Sequence, residues 1–218
     1  MPKKAPITKA LDRLRAFYKK KSMLGMLADK DPFFILISTV LSARNRDSVT
    51  VKLMERLMQK YKSPEEIAHA PVEDLERILR TSGLYRIKAR RIKEISEHLV
   101  TKHKGRVPQD MESLLRLPGV GRKTAGCVLV YAFEKPAIPV DTHVHRISNR
   151  LGWARTKAPT DTEKTLMKTV PKAYWTLVNE LLVLHGQNIC KPLRPDCRNC
   201  PLDRLCPKIG VKAMASTR

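Results

Sequence analysis

The stretch LPGVGRKTAG, residues 117–126, decides the fold of this 218-residue chain. Gly119 and Gly121 follow Pro118, and both permit backbone angles that residues with a Cβ atom resist. Apolar spacing on either side of them is helical, so the stretch predicts a glycine hairpin between two helices. The hairpin would expose N–H groups at the positive end of the second helix, which predicts a phosphate site. The alternative is a turn that only connects two helices.

The chain is strongly basic, with 43 Lys and Arg, 21 Asp and Glu, and a formal net charge of +22. An excess of this size predicts a polyanionic partner, most simply DNA or RNA. A merely soluble basic surface is the alternative, and an anionic membrane is a weaker one. The longest uncharged run, residues 32–43, is too short to span a bilayer. The N-terminal sequence lacks the apolar segment of a secretory signal, so we expect an intracellular protein, in the cytoplasm or nucleoid of a prokaryote.

Helical spacing of apolar residues runs through almost the whole sequence, and no segment shows the strict alternation of a strand. The sequence therefore predicts an all-α protein with short connections. Caps predict helix starts at Asp31, Ser63 and Thr160. Three glycines predict helix ends, at Gly83, Gly105 and Gly186.

Lys123 and Asp141 are the candidate catalytic pair. The helix dipole and neighbouring Arg122 disfavour a second ammonium at Lys123, and a neutral amine can attack carbon and form a Schiff base. A solvent-facing or phosphate-binding lysine is the simpler alternative. Asp141 precedes another predicted helix, where a carboxylate can also be an N-cap or an ion-pair partner. An amine and a carboxylate together could perform nucleophilic attack with acid–base assistance.

Four cysteines near the C-terminus, Cys190, Cys197, Cys200 and Cys206, have the spacing C-x6-C-x2-C-x5-C. In a chain without a secretory signal, cysteines gathered so tightly predict a metal centre rather than disulfides. Structural zinc is one alternative, although zinc sites usually show two short C-x2-C pairs and this sequence has one. The fifth cysteine, Cys127, lies in an apolar helical stretch and is predicted to be buried.

Taken together, these segments resemble the endonuclease III family of the helix–hairpin–helix superfamily of DNA glycosylases. LPGVGRKTAG, VDTHVHR and the four cysteines carry the resemblance, with LSARNRD (residues 41–47) and GLYRIKA (residues 83–89) in addition. The resemblance implies a two-lobed, all-α helix–hairpin–helix glycosylase fold with a C-terminal iron–sulfur cluster loop. The implied boundaries are residues 22–133 for the lobe with the hairpin, residues 1–21 plus 134–218 for the other, and 187–207 for the cluster loop.

The resemblance also implies a bifunctional DNA glycosylase and AP lyase of base excision repair, which excises oxidised pyrimidines and nicks the strand by β-elimination. Lys123 would be the catalytic lysine and Asp141 the essential aspartate. The four cysteines would bind a 4Fe–4S cluster. The expected partner is double-stranded DNA containing damaged bases or abasic sites, bound by a monomer. The implied DNA-contacting residues are Arg44, Leu84, Gly119, Val120, Gly121, His143, Lys191 and Arg194.

Two of these positions leave alternatives open. Leu84 matches the residue that wedges into DNA, but it could also be a core leucine. Arg44 stands where the family usually has glutamine, at the gap left by the extruded base, and arginine can pair bidentately with guanine. A thymine or uracil mismatch glycosylase of the same superfamily therefore stays open. The alternative from another class is a non-catalytic DNA-binding module built on the hairpin.

Overall fold

The computed structural model describes residues 4–27 and 31–211, and within these ranges the chain is helical, without a β-strand. The prediction of an all-α fold is confirmed. The implied lobes also contain residues 1–3, 28–30 and 212–218, which lie outside the described residues. The α-helices in chain order are α1 (Ile7–Phe17), α2 (Pro32–Ser42), α3 (Asp47–Lys60), α4 (Pro64–His69), α5 (Val72–Leu79), α6 (Tyr85–His103), α7 (Met111–Leu115), α8 (Arg122–Phe133), α9 (Thr142–Arg150), α10 (Pro159–Thr169) and α11 (Trp175–Asn188).

The chain divides into two compact units, each with its own core. One unit runs from Met23 to Ala137 and contains α2 to α8. The other joins the segment ending at Ser22 to the chain from Ile138 onward, so that α1 belongs with α9, α10 and α11. Because α11 continues to Asn188, the first two residues of the cluster loop implied at 187–207 are helical.

Helix α2 is the central helix of the unit from Met23 to Ala137. Its residues 33 and 35–41 are buried, as the apolar run of the sequence predicts. Helix α8 packs against it and buries every residue from Ala125 to Tyr131, including Cys127. The start of α8, which carries the hairpin and Lys123, is therefore anchored to the most buried part of the unit.

The other unit is built on α11, which packs against α1 and α9. Its largest fully buried side chain is Trp153, whose indole Nε1 donates a hydrogen bond to the carbonyl of Ala5 at 2.9 Å. The amide of Ala5 donates to the carbonyl of Leu151 at 3.0 Å. These two bonds fasten the N-terminal segment to the turn after α9. No helix in the described residues is long and apolar enough to cross a membrane.

Two predicted helix starts are confirmed and one is wrong. The Asp31 side chain accepts a hydrogen bond from the amide of Phe33 at 2.8 Å, and Ser63 caps α4 in the same way. Thr160 is not a cap, because Pro159 takes the first helical position and makes Ala158 the N-cap of α10. The fixed φ of proline suits that first position, so it moves the helix start ahead of the threonine.

Among the glycines, only Gly105 marks a helix end as predicted. It has a φ of +71° directly after α6, and its amide donates to the carbonyl of Leu99 at 3.0 Å. Gly83 lies in the turn before α6, four residues beyond the end of α5. Gly186 lies inside α11, where a Cβ atom would be 2.3 Å from Nδ1 of His143. Close packing of α11 on α9, rather than a helix end, requires that glycine.

Candidate active site and metal centre

The hairpin between α7 and α8 exposes its glycines and buries its valine. Gly119 has a φ of +66°, which a residue with a Cβ atom rarely adopts. Val120 is 6% exposed, and its amide donates to the carbonyl of Leu117 at 3.1 Å. The Val120 side chain therefore secures the turn from the core and is not placed to contact a ligand. Only the exposed backbone of the hairpin faces solvent.

The start of α8 has no side-chain cap. Gly121 is the N-cap and has no side chain to accept hydrogen bonds, and the first intrahelical bond runs from the amide of Ala125 to the Gly121 carbonyl. The φ of Gly121 is −96°, and a Cβ atom there would meet nothing within 4 Å. The protein itself therefore does not require glycine at this position. A helix N-terminus without a side-chain cap and with open space beside it is a suitable phosphate site.

A cation that sequence analysis did not foresee lies against this hairpin. A Cβ atom at Gly119 would be 2.2 Å from Nε of Arg91, so the Arg91 side chain passes directly over the glycine. Arg91 is exposed on α6, outside every motif considered above. Its contact with Gly119 adds positive charge beside the exposed backbone of the turn.

Lys123 is the second residue of α8 and is half-buried. Among the described residues of its own unit, its amine has no hydrogen bond or salt bridge to a protein group. The helix that carries it is fixed by the buried segment from Ala125 to Tyr131. Lys123 is thus a primary amine on a rigid element, one residue beyond the candidate phosphate site.

Asp141 is the N-cap of α9, as the simpler interpretation of its position predicted. Its Oδ1 accepts a hydrogen bond from the amide of Val144 at 2.8 Å. His143, in the first turn of α9, lies 3.1 Å through Nδ1 from Nη2 of Arg146, with its ring against Gly186 of α11. The carboxylate and the imidazole are both held by local contacts that set their direction.

Arg44 and Leu84 lie on two adjacent turns of the unit from Met23 to Ala137. Both have left-handed backbones, with φ values of 56° and 60°. A Cβ atom at Gly83 would be 3.8 Å from the carbonyl oxygen of Arg44, which shows how close the turns are. Leu84 is 50% exposed, so the alternative of a core leucine is wrong. Ile87, one helical turn later, is also largely exposed and was missed in the sequence.

The four cysteines line a single small cavity in the other unit. Three of their sulfur atoms accept hydrogen bonds, from Arg150 Nη1 to Cys190 at 3.2 Å and from the amides of Leu202 and Lys208 to Cys200 and Cys206 at 3.3 Å. Such donors stabilise thiolate ligands. In the described part of the chain, no group of three or more His, Cys, Asp or Glu side chains could hold one metal ion. The four cysteines thus bring four sulfur donors to the lining of one cavity.

Burial shapes the electrostatics of this cavity. It raises the pKa of the Cys200 thiol to about 12, and the neighbouring cysteines add to the effect, so a thiolate there needs a compensating cation. His185 lies 3.5 Å through Nε2 from the Cys200 sulfur and 3.1 Å through Nδ1 from the Tyr18 hydroxyl. Burial, with a smaller contribution from Arg146, lowers the pKa of His185 to about 4, so the ring is neutral near pH 7.

The loop between the first two cysteines is exposed but fixed at its base. Lys191 and Arg194 are exposed, and Leu193 between them is 94% exposed. The buried guanidinium of Arg150 donates to the carbonyl oxygens of Lys191 and Pro192 at 2.7 and 2.6 Å. Sequence analysis missed Arg150, because a single arginine at the end of α9 has no motif around it.

Known proteins are similar to this chain in sequence and in fold. Residues 37–172 match the family described as HhH-GPD superfamily base excision DNA repair protein. The chain is 53% identical to endonuclease III of Thermotoga maritima over 178 residues, which cover 82% of this chain and 84% of the relative. A trapped endonuclease III–DNA covalent intermediate, in an estranged-adenine complex, has a TM-score of 0.81 and 41% identity over 92% of this chain and 93% of that chain. A thermostable thymine-DNA glycosylase has a TM-score of 0.78 and 26% identity over the same shares, 92% and 93%.

Proposed function

The chain belongs to the endonuclease III family of the HhH-GPD superfamily of base excision DNA repair proteins, and we propose that it excises oxidised pyrimidines through Lys123. It is a DNA glycosylase and AP lyase of base excision repair. The observation that carries the assignment of the nucleophile is the position of Lys123, a primary amine two residues after Gly121, the N-cap of α8. A phosphate held by that terminus would bring the adjoining sugar within reach of the amine.

Binding begins with the DNA backbone. The net charge of +22 supplies attraction that is independent of sequence and weakened by salt. The hairpin amides hold a phosphate and set the register of the duplex. A damaged base pairs or stacks poorly, so it costs less to extrude, which gives part of the selectivity. Exposed Leu84 would wedge into the duplex, and Arg44 would face the base left without its partner.

The chemistry then follows from an amine and a carboxylate. The Lys123 amine attacks C1′ with its lone pair, the bond from C1′ to the base breaks, and the base leaves with the electron pair and takes up a proton. Asp141 accepts a proton from the amine or stabilises the positive charge that develops on the sugar. The sugar ring opens to an imine, which acidifies the C2′ hydrogen. Loss of that proton expels the 3′ phosphate by β-elimination, and water hydrolyses the imine to release the enzyme.

The proposal assigns a 4Fe–4S cluster to Cys190, Cys197, Cys200 and Cys206. The cysteine-only donor set and the N–H donors to three of the sulfur atoms support it. When bound, the cluster supplies structural cross-linking, which organises the exposed loop that carries Lys191 and Arg194. Arg150, which lines the same cavity, also fixes this loop through its bonds to the Lys191 and Pro192 carbonyls.

A measurement of bound metal tests this assignment. The purified chain should contain iron and show broad absorbance near about 400 nm, as expected of iron–sulfur centres bound by cysteine. Replacement of Cys200 by serine should lower the iron content. Colourless protein with stoichiometric zinc would contradict the cluster.

One observation favours a second substrate class. Arg44 can pair bidentately with an orphan guanine, which a thymine or uracil mismatch glycosylase would need to recognise. The similarity to the thymine-DNA glycosylase is lower, at 26% identity, than the similarity to endonuclease III. Duplexes with thymine glycol opposite adenine and with G·T or G·U mismatches, assayed side by side, separate the two. Faster release of thymine or uracil from the mismatches would show that mismatched bases, and not oxidised pyrimidines, are the preferred substrate.

Trapping with borohydride tests the nucleophile. Wild-type protein should form a covalent complex with abasic-site DNA, and Lys123→Gln should abolish it, because borohydride reduces only an imine that the lysine has formed. Arg122→Gln is the matched control, since it removes the same charge from the same helical turn and keeps the amine. Full trapping by Lys123→Gln would show that another residue is the nucleophile.

A further inference from the structure

Lys88, on α6, is a buried lysine that the mechanism above does not use. It is 5% exposed, and burial lowers the pKa of its amine to about 8. Its Nζ donates to the carbonyl of Leu41 and to Oγ of Ser82, both at 2.9 Å. The partners of this ammonium in the described residues are neutral oxygen atoms, and a buried charge with only neutral partners is costly to desolvate. Its retention points to a task that an apolar residue could not perform.

The partners of Lys88 join two segments that are far apart in the sequence. Leu41 lies at the end of α2, and Ser82 lies in the turn before α6. Asn45 makes the same connection, because its Nδ2 donates to the Leu41 carbonyl at 2.9 Å and to Oγ of Ser82 at 2.8 Å. The Ser82 hydroxyl donates in turn to the carbonyl of Gly83 at 3.1 Å. Lys88 therefore anchors a closed polar network between the two segments.

These two segments carry the exposed residues assigned to the DNA duplex. Arg44 lies between Leu41 and Asn45 of the network, and Leu84 follows Ser82 and Gly83. Both Arg44 and Leu84 have left-handed backbones, at φ values of 56° and 60°. Residues other than glycine keep such backbones only where the surrounding structure holds them. The network is the part of the structure that connects both turns.

We propose that Lys88 is a positioning residue whose ammonium clamps the Arg44 turn and the Leu84 turn into one rigid wedge that enters the duplex at the lesion. The inference rests on the proposed function, because it takes Arg44 and Leu84 as the inserting residues. Lys88 contacts neither the substrate nor the reacting atoms, and it acts through the two turns. A wedge that is already rigid loses less conformational entropy when the two turns insert into the duplex.

Lys88→Met tests the clamp, since methionine keeps an apolar stem and removes the three donors. The matched control is Lys93→Met on the same helix, where the amine of Lys93 donates to the carbonyl oxygens of Ala68 and Ala70 and not to either turn. Both variants lose one positive charge and two hydrogen bonds to neutral oxygen atoms, and Lys93→Met also loses a salt bridge to Glu97 at 3.5 Å. A loss of stability alone would therefore appear in both.

Binding to undamaged duplex and to a duplex with a stable abasic-site analogue is measured for each variant. Lys88→Met should bind undamaged DNA as the wild type does and the abasic duplex roughly tenfold more weakly, the effect of losing one strong hydrogen bond. It should also reduce the fluorescence rise of 2-aminopurine placed at the wedge site. Lys93→Met should stay within about twofold of wild type on both duplexes.

A double-mutant cycle with Leu84→Ala separates the clamp from general destabilisation. If Lys88 acts through the wedge, Lys88→Met should weaken binding to the abasic duplex only slightly further in a protein that already carries Leu84→Ala. Additive effects, or equal behaviour of Lys88→Met and Lys93→Met, would overturn the inference. Ser82→Ala, which keeps the ammonium and removes the shared hydroxyl, gives the same comparison if Lys88→Met does not fold. A wild-type protein that neither prefers the abasic duplex nor excises a base would instead overturn the proposed function.

Discussion

Asp141 has one observed task and one proposed task, and a single substitution can separate them. Its Oδ1 caps α9 through the amide of Val144, and its charge is assigned to the reaction. Asparagine caps a helix about as well as aspartate but carries no charge. Asp141→Asn should therefore keep the thermal stability and the DNA affinity and lose most of the turnover. Single-turnover base release and thermal unfolding, measured on the same preparation, check this.

Two controls make the comparison specific. Asp141→Ala removes the cap as well and should cost about 1 kcal/mol of stability in addition to the turnover. Asp110 caps α7 with the same geometry, through a 2.8 Å bond from the amide of Ser113, so Asp110→Asn should leave turnover unchanged. Near-wild-type turnover in Asp141→Asn would mean that Asp141 is only a cap.

Individual residues differ in how well the sequence alone can assign them. Lys123, Asp141 and the cysteines stand in motifs whose spacing is local, so their candidate roles could be predicted without a structure. Lys88 and Arg150 could not be found in this way. Lys88 acts through Leu41 and Ser82, and Arg150 acts through carbonyl groups 41 and 42 positions away. Only the packing of the helices brings those groups together.

The hairpin contains two glycines that serve different purposes. Gly121→Ala should leave stability unchanged or slightly higher, because its φ of −96° suits alanine and its Cβ atom would enter open space. The same Cβ atom would keep a phosphate from the first amides of α8, so DNA affinity should fall. Gly119→Ala should lower stability by about 1–2 kcal/mol, because of its φ of +66° and the contact with Arg91.

Thermal unfolding and binding to undamaged duplex, measured on both variants, give the test. If Gly121→Ala instead lowers the stability and leaves the DNA affinity unchanged, the fold requires this glycine and phosphate binding does not.

Helix boundaries show where local sequence is sufficient. The starts at Asp31 and Ser63 follow from side chains that bond their own helix, so the sequence contains all the information needed. The start at Thr160 was misplaced because two local signals competed, and the proline prevailed over the threonine. The helix end at Gly186 was wrong for another reason. That glycine makes room for His143, which is 43 positions away and invisible to a local pattern.

For the whole chain, the charge of +22 raises the question of whether DNA affinity depends on total charge or on a few placed cations. The loop fixed by Arg150 and assigned to the cluster presents Lys191 and Arg194 to solvent. If both contact phosphate, replacing the two by alanine should reduce the slope of log K against log salt by about 2, since each contact contributes about 0.9. Discrimination between abasic and undamaged duplex should not change, because phosphate contacts carry no sequence or lesion information.

Lys164 and Lys168 on α10 provide the comparison. Both are exposed, and their replacement by alanine also lowers the formal net charge from +22 to +20. If Lys191 and Arg194 contact phosphate directly, only their double variant should show a reduced salt slope. If affinity depends on total charge, the loop variant and the α10 variant should show the same small change in slope. Equal salt slopes for the two variants would show that the cluster loop does not contact the DNA. If the proposed cluster binds at the four cysteines, an effect confined to the Lys191 and Arg194 variant would assign it a structural role, which is to hold two cations at the backbone of the duplex.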